Sequence, residues 1–125
     1  MLAVYRASAL CVLAGVLASS SASADCRWGR FHFMFGSDVP AMALADSGQP
    51  CWLRVKTGKT SEFTSFTVSK QPAHGRVTVG NDVWDMWIYT SNPGFHGADS
   101  FVGTVTGHSV NFSGTTNVSV SIEVQ

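Results

Sequence analysis

Two stretches limit what this chain can fold into more than any other: Gln71-Pro72-Ala73-His74-Gly75-Arg76-Val77 and Tyr89-Thr90-Ser91-Asn92-Pro93-Gly94-Phe95-His96-Gly97-Ala98-Asp99-Ser100-Phe101. Each sets Pro and Gly between residues suited to strands. Pro holds φ near about −65°, Gly admits positive φ, and Asn or Asp bonds to its own backbone two residues on. Both stretches therefore read as corners of a small β-sandwich, entered and left by strands whose aromatic side chains face inward. Neither carries a reactive constellation.

The rest of the chain agrees with a sandwich. Val118, Val120, Ile122 and Val124 alternate with Ser119, Ser121 and Glu123, which gives a strand one apolar and one wet face. Cys51, Leu53 and Val55 alternate with Trp52, Arg54 and Lys56, and Thr64, Phe66 and Val68 with Ser65, Thr67 and Ser69. Val77 and Val79 form a short strand beyond the first corner, and further strands are expected at residues 31–35, 84–89 and 101–106. Ala41-Met42-Ala43-Leu44-Ala45 fits either a turn or two of helix or an irregular edge strand. About seven short strands separated by Gly-, Pro- and Asn-containing turns read as an all-β, two-sheet immunoglobulin-like sandwich.

Residues 71–101 resemble the second half of bacterial cadherin-like or immunoglobulin-like repeat domains of secreted and surface proteins. Those repeats commonly read Q-P-x-H-G-x-V and then Y-T-P-N-x-G-F-x-G-x-D-S-F. Here Gln71, Pro72, His74, Gly75 and Val77 match the first motif; Tyr89, Thr90, Asn92, Gly94, Phe95, Gly97, Asp99, Ser100 and Phe101 match the second. The similarity continues to the last strand. Ser91 stands where the pattern has Pro, and Gly103 where an inward aromatic is common, so Gly103 leaves a gap or admits a large neighbour such as Trp87. The D-x-D-G stretch that often precedes this half is absent, and residues 26–45 resemble no family. The resemblance implies a single non-catalytic domain acting in interaction, adhesion or cell-envelope structure, with a protein or glycan partner.

The first 24 residues read as a signal peptide: Arg6, an apolar run from Ala7 to Ala18, and a cleavage signal at Ala22-Ser23-Ala24. The apolar run falls short of the about 20 residues that span a bilayer, so no membrane insertion is expected after cleavage. Residues 25–125 then form one domain, exported to the periplasm or beyond. Arg6 leaves with the leader, so seven basic side chains face eight acidic ones and the remainder carries −1 with histidines neutral. With no basic stripe, nucleic acid is not an expected partner. Cys11 also leaves, and Cys26 and Cys51 remain as an even pair in an oxidising compartment, which reads as a disulfide. Their spacing is far from the C-x-x-C of a metal or redox pair.

Asp99 reads as an acceptor for backbone N–H groups at its corner rather than a calcium ligand, because calcium takes about six to eight oxygens and several carboxylates. Asp82 and Asp85 are the only other clustered acids. His32, His74, His96 and His108 form no metal-binding spacing. His32 beside Met34 would suit Cu(I), but a strand with phenylalanines on its other face accounts for the same residues. No serine elbow or carboxylate pair is evident, so neither an enzyme nor a cofactor is expected. Trp52 and Trp84 are the candidate ligand platforms. Trp52 faces outward if Cys51 and Leu53 face inward, and is then either an exposed surface for a sugar or protein partner or covered by the segment tethered through Cys26.

The exported protein is expected to begin at Asp25 and to lack a free thiol. Intact mass before and after alkylation, with and without reductant, reads both. Two thiols alkylated without reductant would contradict the pairing.

Overall fold

The computed structural model describes residues 26–29, 31–55, 61–80 and 86–125. They form eight strands: β1 (Arg27–Trp28), β2 (Val39–Ala45), β3 (Cys51–Arg54), β4 (Glu62–Lys70), β5 (Gly75–Val79), β6 (Met86–Ser91), β7 (Gly97–His108) and β8 (Ser113–Val124). One sheet has the order β1-β2-β8-β7-β4 and the other β3-β6-β5. Strands β3, β6 and β5 thus correspond to B, E and D of an immunoglobulin sandwich, and β4, β7 and β8 to C, F and G. Before them, β2 joins the second group by pairing in parallel with β8, from Val39 opposite Val118 to Ala45 opposite Val124.

Alternation places the core. Leu53, Tyr89, Phe101, Val105, Val118, Val120 and Val124 are buried between the sheets, with Trp87 fully enclosed among them. Residues 41–45 are a strand, not a helix: Ala41, Ala43 and Ala45 face the core while Met42 is exposed.

Three expectations about the strands change. Residues 31–35 form no strand, although Phe31, Phe33 and Phe35 do turn inward and His32 and Met34 outward. Period two reports which side chains are covered, not whether a neighbouring strand takes the backbone. Here the Met34 carbonyl accepts instead from the Thr116 hydroxyl (2.8 Å), and the Gly36 N–H donates to the Thr116 hydroxyl oxygen (3.1 Å). The strand expected at residues 84–89 runs from Met86 to Ser91, and Trp84 lies outside the described residues. In β4 a register shift between Phe63 and Ser65 brings both Phe63 and Phe66 against the core and leaves Thr64 exposed, which a strict alternation does not foresee.

These phenylalanines join a file of rings that crosses the domain. Phe35 meets Phe63 (5.8 Å between centroids), Phe63 meets Phe66 (5.7 Å), Phe66 stacks on Trp87 (4.4 Å), and Trp87 meets Phe101 edge-on (5.8 Å). Gly103 is what admits Trp87: a Cβ there would lie 2.0 Å from Trp87 Cζ2. The indole N–H donates to the Thr67 carbonyl (3.1 Å), so the buried ring is also satisfied as a polar group.

Cys26 and Cys51 are bonded, with their Cα atoms 5.2 Å apart. The bridge ties the residue before β1 to the first residue of β3, and so an edge of one sheet to an edge of the other. Closing this loop contributes about 3.5 kcal/mol in the chain-entropy account.

Replacing a strand glycine by alanine ordinarily stabilises by about 0.5–1 kcal/mol. Gly103→Ala is expected to do the reverse, by about 1–3 kcal/mol or more, because the new methyl must displace an enclosed indole. The shift of the urea midpoint measures it; an unchanged or raised midpoint would mean that Trp87 has room to move.

Candidate functional site

The two corner motifs fold onto each other around Asp99. Its Oδ1 accepts from the N–H groups of Ala73 (3.1 Å) and Ser100 (2.9 Å). Its Oδ2 accepts from the His74 N–H (3.2 Å) and the Tyr89 hydroxyl (2.7 Å). A carboxylate offers about four lone-pair sites, and protein donors occupy them all, so this group is arranged as a brace rather than as a ligand or base. The neighbouring motif residues serve the same corner. Gln71 clamps Val77 by accepting from its N–H (2.9 Å) and donating to its carbonyl (3.0 Å). Pro72 is buried. Gly75 leaves room for Thr90, whose carbonyl would lie 2.5 Å from a Cβ at that position. His74 stacks on Phe95 (4.2 Å, 7° between planes), and its carbonyl accepts from the Asn92 N–H (2.8 Å). Gly94 makes the turn at φ 82° and Gly97 re-enters the strand at φ 128°, values that side chains rarely tolerate.

Burial raises the Tyr89 pKa far above that of free tyrosine, and the hydrogen bond to Asp99 and its charge raise it further. The phenol therefore stays a donor at any physiological pH. Ser91, where the family pattern has Pro, was not recognised from sequence as a structural residue. Its buried oxygen accepts from the Gly48 N–H (2.8 Å) and so secures the turn before β3. A proline there could not accept.

The histidines do not converge. His74 is taken by Phe95; His108 reaches Glu62 (3.5 Å) in an exposed contact; His32 and His96 are exposed. Among the described residues no three His, Cys, Asp or Glu side chains are grouped to hold a metal ion. Asp82 and Asp85 fall outside the described residues.

A further surface feature is aromatic. Trp52, opposite Ile88 on the outer face of the three-stranded sheet, is 64 % exposed. The segment after Cys26 stands beside it rather than over it. Between them lies a groove of about 780 Å³, lined by Trp28, Phe31, Phe33 and Trp52 together with His32 and Arg54. Trp28 is held edge-on by Phe31 at 5.0 Å. Trp28, Phe31 and Phe33 were not foreseen as site residues. Their alternation was legible, but not the strand they would flank.

Two layers with this strand order, closed at one corner by a buried carboxylate, define an immunoglobulin-like domain. The chain matches the bacterial Ig domain family over residues 52–123 and belongs to it. The match starts at Trp52, so one wall of the groove is family domain and the other is the segment that precedes it. No curated protein matches the chain, and no solved structure does. The family accounts for a non-catalytic module in general terms. No helix among the described residues is long and apolar enough to cross a membrane.

Asp99→Ala leaves four donors without their acceptor and is expected to cost about 1–3 kcal/mol for each one that stays buried. Asp99→Asn keeps one carboxamide oxygen and should cost less, and added calcium or EDTA should move the melting temperature of neither. The raised Tyr89 pKa contributes stability that is complete below the unfolded tyrosine value of about 10 and is lost as pH rises through the folded value. Denaturation midpoints between pH 8 and 11 should therefore fall at the alkaline end, less steeply in Tyr89→Phe. Equal slopes would show that the phenol is not the group responsible.

Proposed function

We propose that this is an exported interaction module: residues 1–24 direct export and are removed, and residues 25–125 act in the periplasm or outside the cell by binding a partner rather than by catalysis. The observation that supports it best is Trp52, a large apolar side chain left 64 % exposed in a small domain, beside a groove of further aromatic rings. Aromatic side chains supply much of the contact energy at binding surfaces because they offer broad apolar area with few torsions to freeze. The disulfide and the family resemblance to surface proteins favour the compartment.

A second reading, a carbohydrate- or small-ligand-binding module, is favoured by the same groove. Its volume lies within the about 300–1,000 Å³ of small-ligand sites, and an exposed indole offers a sugar ring a flat apolar face. Trp84 is the second platform in this reading.

Trp52→Ala should fold nearly as well as the parent, whereas loss of a buried tryptophan costs about 3–5 kcal/mol. Acrylamide should quench the parent more readily than the variant, and binding to a glycan array or to envelope fractions should drop in the variant. Strong destabilisation with unchanged quenching would place Trp52 in the core and remove the binding surface. A reporter enzyme fused after residue 24 should be active only outside the cytoplasm; retention inside would contradict export.

A further inference from the structure

We infer that the groove beside Trp52 takes a neutral glycan of β-linked pyranose rings whose substituents are all equatorial, the configuration of cello- and chito-oligosaccharides. This rests on the carbohydrate-binding reading and adds the charge and stereochemistry of the sugar to it.

The charge of the lining points to an uncharged ligand. Among the described residues that line the groove there is no carboxylate, and the guanidinium of Arg54 already has a partner within the protein. Arg27, the neighbour of Trp28, is engaged in the same way. A basic sugar would find no carboxylate here and an acidic one no uncommitted guanidinium, while each would give up the water that solvates its charge. A neutral sugar avoids that cost. His32, which is exposed and also lines the groove, can exchange a hydrogen bond with a ring hydroxyl.

The placement of the aromatic rings points to the stereochemistry. Trp52 stands on β3, and Trp28, Phe31 and Phe33 belong to the segment that lines the other side. A sugar ring held between them meets aromatic surface on both of its faces. Only a pyranose with every substituent equatorial offers axial C–H groups to both. The axial hydroxyl of a mannose or galactose ring points from one face and would lose its water against a side chain that cannot replace the bond. Equatorial linkages also keep successive rings extended, so a short run of them can lie along the groove. The aromatic lining is held in place before a ligand arrives: Trp28 is packed edge-on by Phe31 (5.0 Å), and Phe33 by Phe35 (5.1 Å) and Phe63 (6.2 Å).

The test is titration of the oxidised protein with cello-, chito-, manno- and galacto-oligomers of the same linkage and length, and with oligogalacturonate, followed by calorimetry and tryptophan fluorescence. The cello- or chito-oligomer should bind at least about tenfold more tightly than the manno- and galacto-oligomers, the discrimination expected from one unreplaced hydrogen bond. Oligogalacturonate should bind no more tightly than the neutral galacto-oligomer. Trp52→Ala should abolish binding without changing the circular dichroism spectrum, Trp52→Phe should keep part of it, and Phe112→Ala, which removes an exposed ring outside the groove, should leave it unchanged. Equal affinity for all the neutral oligomers, or a preference for manno-, galacto- or acidic ones, would overturn the inference and leave the carbohydrate reading standing. Failure of every saccharide to bind would overturn both. So would self-association in sedimentation velocity that Trp52→Ala disperses while no saccharide binds, because the groove would then belong to a second copy of the chain.

Discussion

The corner at Asp99 is the constraint on which the two-layer arrangement depends. Asp99 lies in the five-stranded sheet, Tyr89 in the three-stranded one, and Ala73 and His74 in the turn that carries the chain from one to the other. Hydrophobic burial between sheets is non-directional and would accept many relative positions. A carboxylate with all its acceptor sites filled accepts few, since any shift breaks one of four bonds, the buried one from the Tyr89 hydroxyl being the most costly to lose. The residues around it serve the same geometry: Gln71 shapes the turn that presents the N–H groups, and Gly75 keeps that turn free of a side chain where Thr90 passes. What resembles a rich polar site is therefore consumed in holding the fold.

The aromatic groove lies on a surface that supplies no donor to the brace. The groove is composite: Trp52 and Arg54 come from the first strand of the family-matched region, while Trp28, Phe31 and Phe33 come from the segment before it. The disulfide is the covalent seam between these parts, joining Cys26, two residues before Trp28, to Cys51, the residue before Trp52. A small sandwich could bury its core without that seam, but a short segment with two paired residues in β1 has few hydrogen bonds to hold its rings in place. Closing the loop limits the conformations available to the segment before it folds, and thereby gives the aromatic wall a defined position.

Strands whose alternation is uninterrupted were legible in the sequence, as were the cysteine pair, the outward turn of Trp52 and the space that Gly103 makes for Trp87. Each of these follows from local rules: period two, an even thiol count, the absence of a side chain where a large one is customary. Elsewhere the local rule was satisfied by more than one structure. Residues 31–35 alternate like a strand yet give their backbone to the Thr116 hydroxyl, and Phe63 turns inward through a register shift that no neighbouring residue announces. Residues 41–45 became a strand because β8 offered a parallel edge to pair with.

From its residues alone, the chain determines an all-β sandwich of the bacterial Ig family, since alternation, corner chemistry and cysteine number are properties of neighbours along the chain. Tertiary structure alone decided how distant residues meet. It filled Asp99 with donors from three segments, gave Ser91 the Gly48 N–H to hold, and set Trp28 and Phe33 beside Trp52 to make a groove. Those contacts join residues far apart in sequence, and their energy depends on distances that no local pattern encodes.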